Sequence, residues 1–182
     1  MLFPTTKVML KNGAEAVLRS PRIEDAAMMI EQLRQMTGET DFLLRAPEEV
    51  TMTVEQEERF IQSINQSNNS WMIMCEVEGQ YAGNCHLQLM TNRVKVRHRG
   101  SVAIGLSRAF WGMGIGTLMF EQMIRIAREN GAQQLELAVI EGNQRGLALY
   151  EKMGFRQYGV LPNAFIQPDG SKASEILMVL EL

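Results

Sequence analysis

The sequence is poor in the residue types that build metal sites, disulfide frameworks and nucleic-acid surfaces. Two cysteines and two scattered histidines among 182 residues offer no convincing zinc site. The 18 Lys and Arg are outnumbered by 21 Asp and Glu, giving a net charge of -3, whereas a general nucleic-acid binder is usually basic. No apolar run approaches the roughly 18 residues of a membrane-spanning helix. We therefore expect no metal, no nucleic acid and no membrane as partner.

The sequence also lacks a signal-peptide pattern and has only two cysteines. The first residues lack the basic start and apolar core of a signal peptide, so a cytoplasmic location is expected. Cys75 and Cys85 fall in two apolar stretches that meet at Gly79-Gln80, which predicts a β-hairpin. With a two-residue turn there, Cys75 stands opposite Asn84 and the two thiols point to opposite faces of the sheet. We predict two small buried side chains and no disulfide.

Helical and strand patterns alternate along the chain, which predicts a mixed α/β class. A first helix is predicted to begin at Ser20-Pro21, with Ser20 as its cap, and to reach about Met36. With no repeat and no dividing linker, residues 1–182 are expected to form a single domain. The other predicted elements are helices at 53–63, 117–130 and 143–153 and strands at 15–19, 71–77, 81–90, 101–106, 135–140 and 175–182.

A glycine-rich segment, Trp111-Gly112-Met113-Gly114-Ile115-Gly116, lies between a predicted strand and a predicted helix. Its glycines allow a tight turn and a close ligand, and the helix start offers free N–H groups to a diphosphate. Gly116-Thr117 follows without a lysine, so the segment is not a Walker loop. The third glycine comes two residues after the second instead of three, so the dinucleotide fingerprint also fails.

A second motif, Asn143-Gln144-Arg145-Gly146-Leu147-Ala148-Leu149-Tyr150-Glu151-Lys152-Met153-Gly154-Phe155, begins about 27 residues after Gly116. Together the two motifs resemble those of the GCN5-related N-acetyltransferase (GNAT) family. The glycine segment is similar to the family's pyrophosphate loop, with Trp111 where many members carry Arg or Gln. The second motif is similar to its N…A…LYEKxGF signature. The resemblance is specific over 101–155 and looser over 15–182.

The resemblance implies the GNAT fold, a mixed and mostly antiparallel central sheet flanked by helices and splayed between the strands at 101–106 and 135–140. It also implies acetyl-CoA as co-substrate, with its pantetheine arm paired to the first of these strands. Since Trp111 lacks the usual side-chain donor, phosphate binding is expected to use backbone amides. By resemblance, the cofactor-binding residues are Ile104, Gly105, Leu106, Trp111, Gly112, Met113, Gly114, Ile115, Gly116, Thr117 and Asn143.

The resemblance further implies an N-acetyltransferase whose primary amine substrate, a small molecule or a peptide, attacks directly in a ternary complex. In the family, the tyrosine that corresponds to Tyr150 reaches the departing thiolate of CoA. The general base is less defined, because many relatives carry Glu on the strand before the glycine loop and residues 101–107 contain no carboxylate. Glu136 on the neighbouring strand is the first candidate, with His98 and His86 as further ones.

The missing carboxylate leaves a second function open, a non-catalytic acyl-CoA-binding sensor on the same fold. The amine acceptor is also open: a peptide N-terminus, a polyamine, an antibiotic or an amino acid. Residues 39–45 resemble the family's lid at the acceptor site, where acidic side chains would attract a cationic amine. Residues 169–175 resemble its final hairpin, with Ser174 where relatives often have Asp. Dimers are common among relatives, so the resemblance is also compatible with a homodimer.

Overall fold

The computed structural model describes residues 2–182 and shows one eight-stranded sheet with four α-helices in that range. The strands are β1 (Thr6–Met9), β2 (Glu15–Arg19), β3 (Ser70–Val77), β4 (Gln80–Leu89), β5 (Arg99–Leu106), β6 (Gln134–Ile140), β7 (Arg156–Ile166) and β8 (Lys172–Glu181). The helices are α1 (Ala26–Glu39), α2 (Val54–Gln66), α3 (Ile115–Glu129) and α4 (Gln144–Lys152).

The strand order is β1-β2-β3-β4-β5-β6-β8-β7, and only the contact between β5 and β6 is parallel. That contact is short: it joins Arg99 to Gln134, Gly100 to Leu135 and Ser101 to Glu136, and the strands separate beyond it. The predicted mixed sheet, mostly antiparallel and splayed between these two strands, is therefore confirmed.

The sheet is covered on both faces, and β3 shows how its residues alternate between them. Ile73 joins the larger core with Phe120 of α3, so this side is called the α3 face. Met72 and Met74 join a smaller, methionine-rich core with α1 and α2, called the α1–α2 face. None of the helices within residues 2–182 is long and apolar enough to cross a membrane.

The predicted placement of the two thiols on opposite faces is wrong. The hairpin turn is Glu78-Gly79, one residue earlier than predicted, and a β-bulge follows Cys75. Cys75 therefore stands opposite Gly83, and Cys85 lies opposite a neighbour that shares the face of Cys75. Both free thiols lie in the core of the α3 face. Burial raises the pKa of the Cys75 thiol to about 12 and raises that of Cys85 further, so neither is a thiolate at neutral pH.

The first helix begins later than predicted, because tertiary contacts organise the chain before it. Ser20 does not cap the helix; its buried hydroxyl accepts a hydrogen bond from the Phe3 N–H at 2.9 Å. A short 3₁₀ turn comes next, and Asp25 within it forms an ion pair with Arg19 at 2.6 Å. The helix itself then continues to Glu39, three residues past the predicted end at Met36.

Candidate active site

The separation of β5 and β6 opens a cleft of about 740 Å³ in the middle of the sheet. Beyond Ser101 and Glu136, neither strand pairs with the other, so each presents backbone N–H and C=O groups to the gap. Such groups require water or a ligand as partner. Residues 102–106 of β5 and 138–140 of β6 line the cleft.

The structure brings part of the predicted cofactor-binding set to this cleft. Ile104, Gly105, Leu106, Trp111 and Asn143 all line it. The rest of the predicted set, Gly112, Met113, Gly114, Ile115, Gly116 and Thr117, lies beside the cleft, outside its lining.

In this flanking segment the side chains are mostly engaged elsewhere. Ile115 is buried in the core, and the Thr117 hydroxyl accepts a hydrogen bond from Lys152 Nζ at 3.1 Å. The segment therefore offers a ligand its backbone, in keeping with the expected use of backbone amides.

The glycines of the loop have two different tasks. Gly112 and Gly114 adopt left-handed conformations, with φ of 80° and 85°, and no heavy atom lies within 4 Å of the position that a Cβ would take in either. The space before the first turn of α3, whose N–H groups lack helical acceptors, is thus open. At Gly116, in contrast, a Cβ would lie 2.8 Å from Leu149 Cδ2, so this glycine permits the close packing of α3 on α4.

Trp111 uses its indole N–H within the protein, where it donates to the Leu106 carbonyl oxygen at 2.7 Å. Its ring contacts two cations, with the guanidinium carbon of Arg108 at 5.5 Å and that of Arg145 at 4.8 Å from the centroid. Such cation–π contacts hold positive charge beside the glycine loop. Arg145 also lines the cleft, although it was not among the site residues predicted from the sequence. The sequence feature that could have indicated Arg145 is a basic residue two positions after Asn143, in the first turn of a predicted helix.

Helix α4 carries the second motif to the wall of the cleft. Asn143 caps the helix, and its side-chain oxygen accepts from the Gly146 N–H at 2.9 Å. Tyr150, at the other end of the helix, packs its ring against Phe120 and Phe155, with centroids 5.5 Å and 6.3 Å away. Burial raises the pKa of Tyr150 to about 12, so the phenol keeps its proton at neutral pH and can donate it.

Glu136, the first candidate for the general base, lies outside the cleft lining. It stands opposite Ser101 at the closed end of the gap and does not line the cleft. Arg99 donates to both carboxylate oxygens, at 2.5 Å and 2.6 Å, and Gln134 Nε2 donates to Oε1 at 2.8 Å. The hydrogen bonds from Arg99 lower the pKa of the Glu136 carboxyl. A carboxylate engaged in this way accepts a proton poorly, so the structure favours a structural role over general base.

The two histidine candidates do not line the cleft. His86 Nε2 lies 2.7 Å from the Ser70 hydroxyl, and burial lowers the pKa of His86. The carboxylate-bearing residue that does line the cleft is Glu175 of β8, opposite Ile140, and it was not predicted. No group of three or more metal-binding side chains forms within the described range 2–182.

The segment after α1 forms a wall of the cleft, as expected of a lid. Thr40, Phe42, Leu43 and Leu44 line it. The Phe42 ring lies 3.6 Å from the position that a Cβ would take at Gly142, so the segment reaches across to the turn between β6 and α4.

Comparison with known proteins agrees with this architecture. The ribosomal protein bS18-alanine N-acetyltransferase of Haemophilus influenzae is 32% identical over 79 residues, which is 43% of this chain and 53% of that protein. This chain spans about half the length of the curated relatives it matches.

Solved structures match over more of the chain. An acetyltransferase of the GNAT family from Streptococcus pneumoniae has a TM-score of 0.86 at 27% identity, covering 92% of this chain and 99% of that one. The fold is also shared by a phosphinothricin acetyltransferase from Sinorhizobium meliloti, solved in complex with AcCoA. Its TM-score is 0.79 at 18% identity, covering 92% of this chain and 88% of that one.

A family model matches more than half of the chain. A model described as the Acetyltransferase (GNAT) family matches residues 31–155, which include both sequence motifs and both splayed strands. This chain belongs to the GNAT family of acetyltransferases.

Proposed function

We propose that this protein is an N-acetyltransferase that moves an acetyl group from acetyl-CoA to a primary amine. The observation that carries the proposal is the gap between β5 and β6, which has unpaired strand edges and a buried tyrosine donor on one wall. Family membership supports it, as do the acetyltransferase names of the relatives and the AcCoA complex of a structural neighbour.

The residues present fit acetyl-CoA as co-substrate. The open edge of β5 from Ile104 to Leu106 suits an extended pantetheine arm that adds to the sheet as a strand would. The first turn of α3 and the open space at Gly112 and Gly114 suit a diphosphate, whose charge Arg145 would help to balance. When bound, acetyl-CoA supplies an acetyl group activated as a thioester.

In the proposed reaction, the amine nitrogen attacks the acetyl carbon directly while both substrates are bound. Tyr150 donates its proton to the departing thiolate, and its raised pKa ensures that the proton is there to donate. Asn143 orders the start of α4 and so helps to position this tyrosine. A covalent acyl-enzyme is disfavoured because Cys75 and Cys85 are buried, carry raised pKa values and do not line the cleft.

The proposed acceptor is a primary amine on a small molecule or a peptide. Relatives are named for two such acceptors, the alanine of a ribosomal protein and phosphinothricin. A homodimer and a cytoplasmic location stay predictions from the sequence.

A non-catalytic acyl-CoA sensor is the second candidate, supported by the ion pair of Glu136 with Arg99, which disfavours the first candidate base. The two functions differ in whether CoA is released. Incubation of the protein with acetyl-CoA and a panel of amines, followed by detection of free thiol, is expected to show release that depends on the amine. Binding of acetyl-CoA with no amine-dependent release across the panel would instead support the sensor.

A further inference from the structure

The cleft has two halves that lie on different faces of the sheet. Alternation along β5 places Val102 and Ile104 on the α3 face, together with Tyr150 and the side proposed for acetyl-CoA. Ala103 and Gly105 therefore face α1 and α2, and Met36 of α1 lies 3.9 Å from the Cβ position of Gly105. The half of the cleft on the α1–α2 face is the one left for the acceptor.

Strand register places Glu175 in this acceptor half. It pairs with Ile140 of β6, and residues directly opposite in antiparallel strands share a face. Ile140 lies on the α1–α2 face, because Leu137 and Val139 of the same strand belong to the core of the α3 face. Ile140 and Glu175 both line the cleft. A carboxylate thus lines the cleft on the α1–α2 side.

The rest of the acceptor half is mostly apolar. The lid and the final hairpin contribute Phe42, Leu43, Leu44 and Phe165 to the lining, and the lid adds the polar side chain of Thr40. Among the described residues that line the cleft, the cationic one is Arg145, and its guanidinium stacks on Trp111 at the opposite, cofactor side. An acceptor with its own carboxylate would meet Glu175, and no cationic residue of the described cleft lining lies on that side to compensate.

We propose that Glu175 binds the ammonium group of the acceptor and takes its proton, and that the acceptor is a primary amine with an apolar body and no acidic group beside the nitrogen. The inference rests on the proposed function, and it names the substrate class and the base for that same site. The proposed base thus lies on β8, whereas β5, the strand before the glycine loop, carries no carboxylate at residues 101–106.

The proton balance is complete with the groups named. Glu175 takes one proton from the ammonium, which frees the nitrogen lone pair. The nitrogen forms a bond to the acetyl carbon, the carbon–sulfur bond breaks, and the thiolate takes a proton from Tyr150. The nitrogen loses its second proton as the amide forms. This proton replaces the one lost by Tyr150, and the proton on Glu175 passes to solvent.

The test measures kcat/KM by thiol release for a matched pair of probes, 2-phenylethylamine and phenylalanine, which differ by a carboxylate beside the amine. The wild-type protein is expected to prefer 2-phenylethylamine by at least about tenfold. In Glu175→Gln, kcat/KM for 2-phenylethylamine is expected to fall about 100-fold at pH 7. The loss should shrink near pH ~10, where a far larger fraction of an alkylamine is neutral without a base than at pH 7.

Two variants serve as controls. Glu181→Gln changes an exposed carboxylate on the same strand and face but outside the cleft, and it should match the wild-type protein. Glu175→Asp keeps a carboxylate and should recover part of the activity at pH 7. A loss caused only by disturbed folding would be the same at every pH and would lower the melting temperature.

Each outcome has a distinct meaning. Equal activity of Glu175→Gln and wild type at pH 7 would overturn the role of Glu175 while the acetyltransferase function stands. A preference for phenylalanine would overturn the proposed substrate class. Acetyl-CoA binding without CoA release for these probes or for any amine of the wider panel would mean that the acetyltransferase function itself fails.

Discussion

At the scale of the residue, burial decides what each titratable group can do. The Tyr150 phenol is held in an aromatic cluster with Phe120 and Phe155 but still lines the cleft, so it is both rigid and protonated. Glu136 is also partly buried, but Arg99 holds it in the charged form. Both residues were predicted as catalytic, but their surroundings differ: Tyr150 lines the cleft and keeps its proton, whereas Glu136 forms an ion pair outside the cleft lining.

Replacing Tyr150 by Phe removes the donor and keeps the ring. Because the packing against Phe120 and Phe155 is preserved, we expect the melting temperature to change little. The kcat for amine acetylation should fall about 100-fold, since a positioned general acid contributes 10²–10⁴-fold, whereas the Kd for acetyl-CoA should stay the same. Tyr158→Phe, at an exposed position on β7, is the matched control. Unchanged kcat in Tyr150→Phe would remove this residue from the mechanism.

The ion pair of Glu136 with Arg99 predicts an effect on stability. Glu136→Gln leaves Arg99 without its charged partner, and we expect a modest fall in the free energy of unfolding at pH 7 in urea titrations, because solvent screens this partly exposed pair. The folded-state pKa of Glu136 is lowered, so its contribution is present above the unfolded pKa and is lost as pH falls through the folded one. The difference between wild type and variant should therefore vanish in acid.

The same variant also tests catalysis. Glu136→Gln should retain kcat within about twofold of wild type at temperatures where it is folded, because the residue lies outside the cleft. A large loss of kcat in a well-folded variant would restore Glu136 as a base.

At the scale of the element, most helices and strands were predictable because local patterns specify them. The predicted helices at 53–63 and 143–153 correspond to α2 and α4, which are capped by Thr53 and Asn143. The start of α1 was mispredicted because Glu76 and Phe3, which are distant in sequence, hold Arg19 and Ser20 before the helix. The strand β7 was not predicted: it is an edge strand, largely exposed and interrupted by Pro162, so it lacks the alternation of a half-buried strand.

The glycine loop and the end of α3 offer a matched pair of substitutions. Gly114 and Gly131 have similar left-handed φ values of 85° and 79°, and an added Cβ meets no atom within 4 Å at either. Gly114→Ala and Gly131→Ala should therefore lose similar stability, about 1 kcal/mol each. We expect only Gly114→Ala to weaken acetyl-CoA binding in calorimetry, because only its methyl group enters the proposed diphosphate site. Equal affinity in both variants would contradict the assignment of the loop.

At the scale of the whole molecule, the site depends on contacts that no single segment contains. β5 and β6 each resemble an ordinary strand, and their splay was expected only from the family resemblance. The pairing of Glu175 with Ile140 joins residues 35 positions apart, so its place in the cleft required the strand register. Arg145 likewise gains its position from stacking on Trp111.

Amide hydrogen exchange of the wild-type protein with and without acetyl-CoA tests most directly whether the gap between β5 and β6 binds this substrate. We expect slower exchange in 102–106, 112–117 and 138–140, where open strand edges and the loop meet the ligand. No change in these segments would contradict the proposed site. So would protection confined to the second cavity, of about 430 Å³, which is lined by residues of α1 and α2.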